Sequence, residues 1–128
     1  MSLTHVTAVR NALADYVVDA IDTGTTDATG DLIVQNSSDT ILCTIALANP
    51  AFGAASGGTA SANGLPKEGT VASAGTASKF RVRDRDNTEI FQGTVTASGG
   101  GGDMELSSTS LAVSDVVRIN TFTYTASP

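Results

Sequence analysis

Thr40-Ile41-Leu42-Cys43-Thr44-Ile45-Ala46-Leu47-Ala48 alternates in a way that only an extended strand uses, and the rest of the chain can be read outward from it. Ile41, Cys43, Ile45 and Leu47 fall on one face at a period of two. Leu32 to Gln35 just upstream has the same character. Between the two runs Asn36-Ser37-Ser38-Asp39 supplies residues that hydrogen-bond their own backbone in turns, so the pair is read as a hairpin. Asn49-Pro50 stops the second strand, because proline has no N–H to give to a ladder.

Alternation returns at Lys79-Phe80-Arg81-Val82-Arg83, with Phe80 and Val82 facing inward and the three cations outward. Asp84 to Asn87 is a turn, and Glu89 to Ala97 comes back as a strand carrying Phe91 on one face and Ile90 on the other. Ser98-Gly99-Gly100-Gly101-Gly102-Asp103 is a flexible connection, Met104 to Ser107 a short strand, and Val116 to Thr125 the terminal one. In that last run Val117 and Ile119 share one face while Phe122 and Tyr124 share the other. The switch predicts a bulge near Asn120-Thr121 or burial on both faces. From Ala51 to Thr76 only Phe52, Leu65 and Val71 are sizeable and apolar. The segment is either a long surface arm ordered by a partner or a set of thin strands around Thr59–Ala62 and Val71–Ser73. Short strands joined by a loop at Gly64–Gly69 are the preferred reading. About eight short strands with polar turns predict a mainly β fold, an antiparallel β-sandwich or small barrel over about 31–126.

One helix precedes them. Val9, Leu13, Tyr16, Val17, Ala20 and Ile21 recur at helical spacing, with Arg10, Asn11, Asp15, Asp19 and Asp22 on the other side. The helix is expected over about 4–23, capped by Thr4 or Thr7 and followed by Gly24 in a left-handed position. Its apolar face is expected to pack against the sheet or a neighbouring subunit. The whole chain, 1–128, reads as a single domain.

Charge and composition exclude several classes. Thirteen acidic against seven basic residues give a net charge of −6, which repels phosphate backbones, so no nucleic-acid partner is expected. No basic start leads into an apolar segment and no run of eighteen apolar residues occurs, so neither a cleaved export signal nor a membrane span is expected. Tryptophan is absent and aromatics make up 5% of the chain, which leaves few side chains for a drug-sized pocket. Gly53-Ala54-Ala55-Ser56-Gly57-Gly58-Thr59 has the glycine spacing of a phosphate loop but puts Thr59 where lysine belongs. Asp84, Asp86, Asn87 and Glu89 cluster like calcium ligands, yet Glu89 stands where the calcium loop needs glycine; a charged hairpin turn is the better reading. Cys43, in an apolar run, reads as a buried thiol, and His5 as a surface or interface residue. One Cys and one His cannot close a zinc site. No catalytic residue, metal or cofactor is expected, and no enzyme.

Leu3-Thr4-His5 leading into Thr7-Ala8-Val9-Arg10-Asn11 with Asp19-Ala20-Ile21-Asp22, then Pro50-Ala51-Phe52-Gly53-Ala54-Ala55, then Phe122-Thr123-Tyr124-Thr125, together resemble a family of tailed-bacteriophage virion structural proteins. The resemblance spans nearly the whole chain, carries no catalytic signature, and implies a capsid decoration (cement) protein. Such a protein binds the outside of the major capsid protein shell as a homo-oligomer, is made in the host cytoplasm and resides on the virion. Val9, Leu13, Tyr16, Phe52 and Leu65 are the candidate interface residues, with the helix or a Gly53–Gly75 arm meeting the shell protein. Two alternatives are a tail or head-to-tail joining component, separable by copy number in purified particles, and a receptor- or carbohydrate-binding β module. The last would need a concave patch of exposed aromatics.

Overall fold

The structure is a computed structural model and describes residues 4–126. Residues 1–3 and 127–128, with Leu3 of the likeness above and the outer limits of the 1–128 domain, lie outside the described residues. One helix, Thr7–Ala20 (α1), is followed by eleven strands: Asp31–Gln35 (β1), Ile41–Ala46 (β2), Thr59–Ser61 (β3), Lys67–Thr70 (β4), Gly75–Thr76 (β5), Lys79–Arg83 (β6), Glu89–Ala97 (β7), Met104–Leu106 (β8), Ser110–Leu111 (β9), Val116–Ile119 (β10) and Thr123–Thr125 (β11). The fold is mainly β with one N-terminal helix, and its sheets curl into a half-barrel, sandwich-like arrangement.

β1 and β2 form the expected antiparallel hairpin, with Asn36 Oδ1 accepting the N–H groups of Ser38 and Thr40 in the turn. Val34 faces Cys43 and Gln35 faces Ile41, so Leu42 is an extra residue on β2. That bulge corrects the expected face: Leu42, Cys43 and Ile45 are buried, whereas Ile41 is 40% exposed. β6 and β7 occur where alternation placed them, with Phe80 and Val82 buried. The five-stranded sheet runs β2-β1-β6-β7-β8. β4 lies beside β2 through a bridge between Cys43 and Val71 and the Ala72 N–H donated to the Leu42 carbonyl, and β10 pairs with β4. The strands therefore follow one another as β10-β4-β2-β1-β6-β7-β8 around the curl. Inside lie Leu32, Val34, Cys43, Ile45, Val82, Val95, Met104, Leu106, Val117 and Ile119.

β1 is buried on both faces. On its outer side Gln35 is fully buried, and its amide is satisfied by donating to the Asp39 carbonyl and accepting from Arg81 Nε at 2.9 Å. The three cations of β6 face out and are each matched by an acid: Lys79 with Asp39, Arg81 with Glu89, Arg83 with Asp31.

Three further expectations are overturned. Lys67–Thr70 is a strand that takes up the second half of the expected Gly64–Gly69 loop and runs one residue past it, while of the expected Val71–Ser73 strand only Val71 makes a bridge. Gly69 explains it, since a Cβ there would sit 2.7 Å from Ile45 Cγ1 and from the Thr44 carbonyl oxygen. β4 is held by backbone proximity, not by apolar side chains, so no alternation marks it. Second, β8 runs parallel to β7, with Val95 opposite Met104 and Ala97 opposite Leu106, because residues 98–103 double back. Third, the terminal run is two strands, β10 on β4 and β11 on β3; the predicted bulge is a change of sheet at residues 120–122.

Candidate functional site

α1 lies on β3 and β11, and it does so by its polar side. Asp15 Oδ1 accepts the Ala55 N–H at 2.7 Å, and Asn11 Oδ1 accepts the Gly58 N–H at 2.7 Å. Asp22 Oδ1 accepts the Ala51 N–H at 2.9 Å, and Arg10 Nη2 donates to the Ala126 carbonyl at 3.4 Å. Gly58, at φ +81, allows the loop to press on Arg10; a Cβ there would be 2.7 Å from the guanidinium carbon. Ala14, Val18 and Ile21 are buried beneath the helix, and Val17 and Ala20 are half-buried.

Of the expected apolar face, Val9, Leu13 and Tyr16 point away, whereas Val17 and Ala20 are half-buried and Ile21 is fully buried. Val6 is 69% exposed, Val9 43%, Leu13 42% and Tyr16 78%, so residues 6, 9, 13 and 16 form a narrow stripe down the outer side of the helix. This corrects the expectation that Val9, Leu13 and Tyr16 pack on the sheet of their own chain. The reason is chemical. A loop of small residues at 53–58 leaves backbone N–H groups that need acceptors, and Asn11 and Asp15 supply them. The helix starts at Thr7 behind Val6, with no side-chain cap from Thr4 or Thr7, and Gly24 follows at φ +117.

Phe52 and Leu65 part from the other three candidates. Phe52 is 4% exposed and packs on Phe122 with ring centroids 5.3 Å apart; Leu65 is half-buried against the core. The Gly53–Gly75 segment is not a free arm: β3 and β4 are paired, and Ala60 and Val71 are buried. Val6 belongs to the stripe and is missing from the sequence candidates, although its spacing of three from Val9 was the available signal.

The small-residue loop turns two of its N–H groups to the helix carboxylate and amide, which leaves them no phosphate to bind. The acids at 84–86 are likewise taken by backbone: Asp84 Oδ1 accepts from Asp86 and Thr88, and Asp86 Oδ1 accepts from Thr25 and Thr26. The Thr25 and Thr26 bonds hold the Asp86 carboxyl below its ordinary range, while burial raises Asp22 despite its bond from Ala51. Cys43 is fully buried, and burial pushes its thiol up. His5 is exposed just ahead of the helix. Among the described residues no three metal-ligating side chains cluster, and no helix is long and apolar enough to cross a membrane.

The four phenylalanines and Tyr124 gather in one place. Phe91 and Tyr124 have centroids 5.2 Å apart, Phe80 and Phe122 5.9 Å, and an open groove of about 330 Å³ runs beside them, lined also by Gln92, Asp103 and Thr125. Comparison with known proteins finds no matching family, curated protein or solved structure.

Proposed function

We propose that this chain is a bacteriophage virion structural protein that decorates the outside of the capsid, holding the major capsid protein with the outward stripe of α1. The observation that supports this reading best is the inverted helix. Polar side chains lock it to its own domain, and Val6, Val9, Leu13 and Tyr16 are left for another surface. Fully burying an apolar side chain of this size contributes about 1.5–3 kcal/mol, so four half-exposed ones form a sizeable anchor. Fourteen helical residues give a ridge about 21 Å long at 1.5 Å per residue. Tyr16, the most exposed member of the stripe, is of a residue type that dominates such contacts. The sequence resemblance supports the same reading, and a thin half-barrel of small side chains suits a protein that lies across shell subunits as a small oligomer.

The test is a double substitution, Val9→Asp with Leu13→Asp. Both positions are solvent-facing, so the purified variant should keep its Tm within a few degrees, while its copy number on purified particles falls at least tenfold. Wild-type incorporation would remove the helix from the interface. Hundreds of copies per particle are expected of a shell protein; a few or tens would place it in the neck or tail.

A second reading, a carbohydrate- or receptor-binding β module, is favoured by the aromatic groove at Phe91 and Tyr124, where half-buried rings stand beside the polar groups of Gln92 and Asp103. A glycan array separates it from the first: signal lost in Tyr124→Ala supports it, and a blank array defeats it.

A further inference from the structure

The curled sheet does not close. Its two terminal strands are β8 and β10, and neither pairs on its outer side with any described residue. They face each other across a groove with two adjoining hollows of about 320 Å³ and 430 Å³, both lined by Glu105, Leu106, Arg118 and Asn120. α1 packs on β3 and β11, so this seam is a separate feature from the helix stripe.

Backbone geometry says what the seam lacks. The Leu106 carbonyl accepts the Ser98 N–H at 2.9 Å, and alternate residues of a parallel strand bond to one side. Met104 and Leu106 therefore bond toward β7, and Glu105 turns its N–H and carbonyl to the open side. On the other wall the Asp115 carbonyl accepts the Val71 N–H at 2.8 Å, so by the same alternation Arg118 turns its backbone to the seam. Glu105 on one wall and Arg118 on the other thus offer unpaired main-chain groups, which a strand completes and a helix or a small molecule does not. Charge narrows the occupant. Asp103, Glu105 and Asp115 line the hollows against Arg118 alone, and Glu68 stands 3.8 Å from that arginine. A second copy, with a chain charge of −6, would bring like charge to this rim.

We propose that the seam takes up an extended segment of a different polypeptide, flanked by lysine or arginine, as an added strand between β8 and β10. The proposal goes beyond the decoration reading and does not depend on it.

The probe is the synthetic peptide Lys-Thr-Val-Thr-Val-Thr-Val-Thr-Lys, titrated to millimolar concentration into isotope-labelled protein and followed by NMR. Chemical-shift changes should be confined to β8 and β10 and their neighbours, and amide exchange at Glu105 and Arg118 should slow at least tenfold. N-methylation of alternate peptide nitrogens should weaken binding at least tenfold, and glutamate in place of the flanking lysines should weaken it too. Glu105→Pro removes the outward N–H, which edge strands tolerate, together with the carboxylate that accepts the Gly99 and Gly101 N–H groups, and should lose binding; Glu105→Ala, which removes the carboxylate alone, should keep most of it. If Glu105→Pro does not fold, the N-methylated peptide tests the same hydrogen bonds from the other side. The proposal is overturned by no shift, by shifts elsewhere, by equal binding of the N-methylated peptide, or by self-association that protects these amides without peptide.

Discussion

Asp22 and Asp86 both accept backbone N–H groups, yet they pull stability in opposite directions with pH. Burial raises the Asp22 carboxyl above 3.8, the bond from Ala51 and nearby Arg85 opposing it only in part. A raised carboxyl favours the fold when protonated, so its contribution is present below the unfolded value and is lost as pH rises through the raised one. Asp22→Asn keeps the acceptor and removes the charge; its Tm should exceed wild type at pH 7, with the gap closing as pH falls below about 4. For Asp86 the bonds from Thr25 and Thr26 lower the value, so its contribution is present above 3.8 and is lost as pH falls through the lowered one. Asp86→Asn should lower Tm at pH 7 and converge on wild type in acid. A pH–Tm series on both variants checks the two signs. On the helix, Asp15→Ala strands the Ala55 N–H and should cost about 1–3 kcal/mol in urea unfolding. Leu13→Ala, at a position 42% exposed, should cost under about 1 kcal/mol. A larger loss from Leu13 would mean that the helix sits on its apolar side after all.

Elements whose side chains alternate were legible in the sequence: β1, β2, β6 and β7 lie where the period of two put them. The helix was legible in extent but not in orientation. An apolar stripe at 9, 13 and 16 fits packing inward or outward equally well, and the choice is made by N–H groups forty or more positions away, at Ala55 and Gly58. β4, β5 and β9 were not legible, being two to four residues long and held by close main-chain approach. Gly69 is the tightest such point of β4. Gly69→Ala should cost about 1–3 kcal/mol through overpacking against Ile45 and Thr44, read as a lower urea midpoint with unchanged far-UV spectrum. A neutral result would mean that β4 can stand off β2. Of the candidate site, Val9, Leu13 and Tyr16 lie together, while Phe52 was drawn inside because aromatic rings so few in number gather on one another.

At the scale of the molecule, Cys43 reports on cooperativity. It sits fully buried between β1 and the start of the β4 bridge, with its thiol raised by burial. A thiol reagent should label it only at the rate of global unfolding; labelling within minutes in native buffer would mean that β4 peels off locally. The change of sheet at residues 120–122 has a further consequence for how the chain is made. Of the described elements α1 leaves the ribosome first, and part of its seat, β11 and the Ala126 carbonyl, is translated last. Until then the helix can rest only on β3 and the loop at 51–58, through Asn11, Asp15 and Asp22, so its seat is completed at the end of synthesis rather than at the start. A stop codon before Phe122 would take away β11 and the Arg10 acceptor and leave the helix on a half-built seat, and the truncated product should be degraded rather than stored.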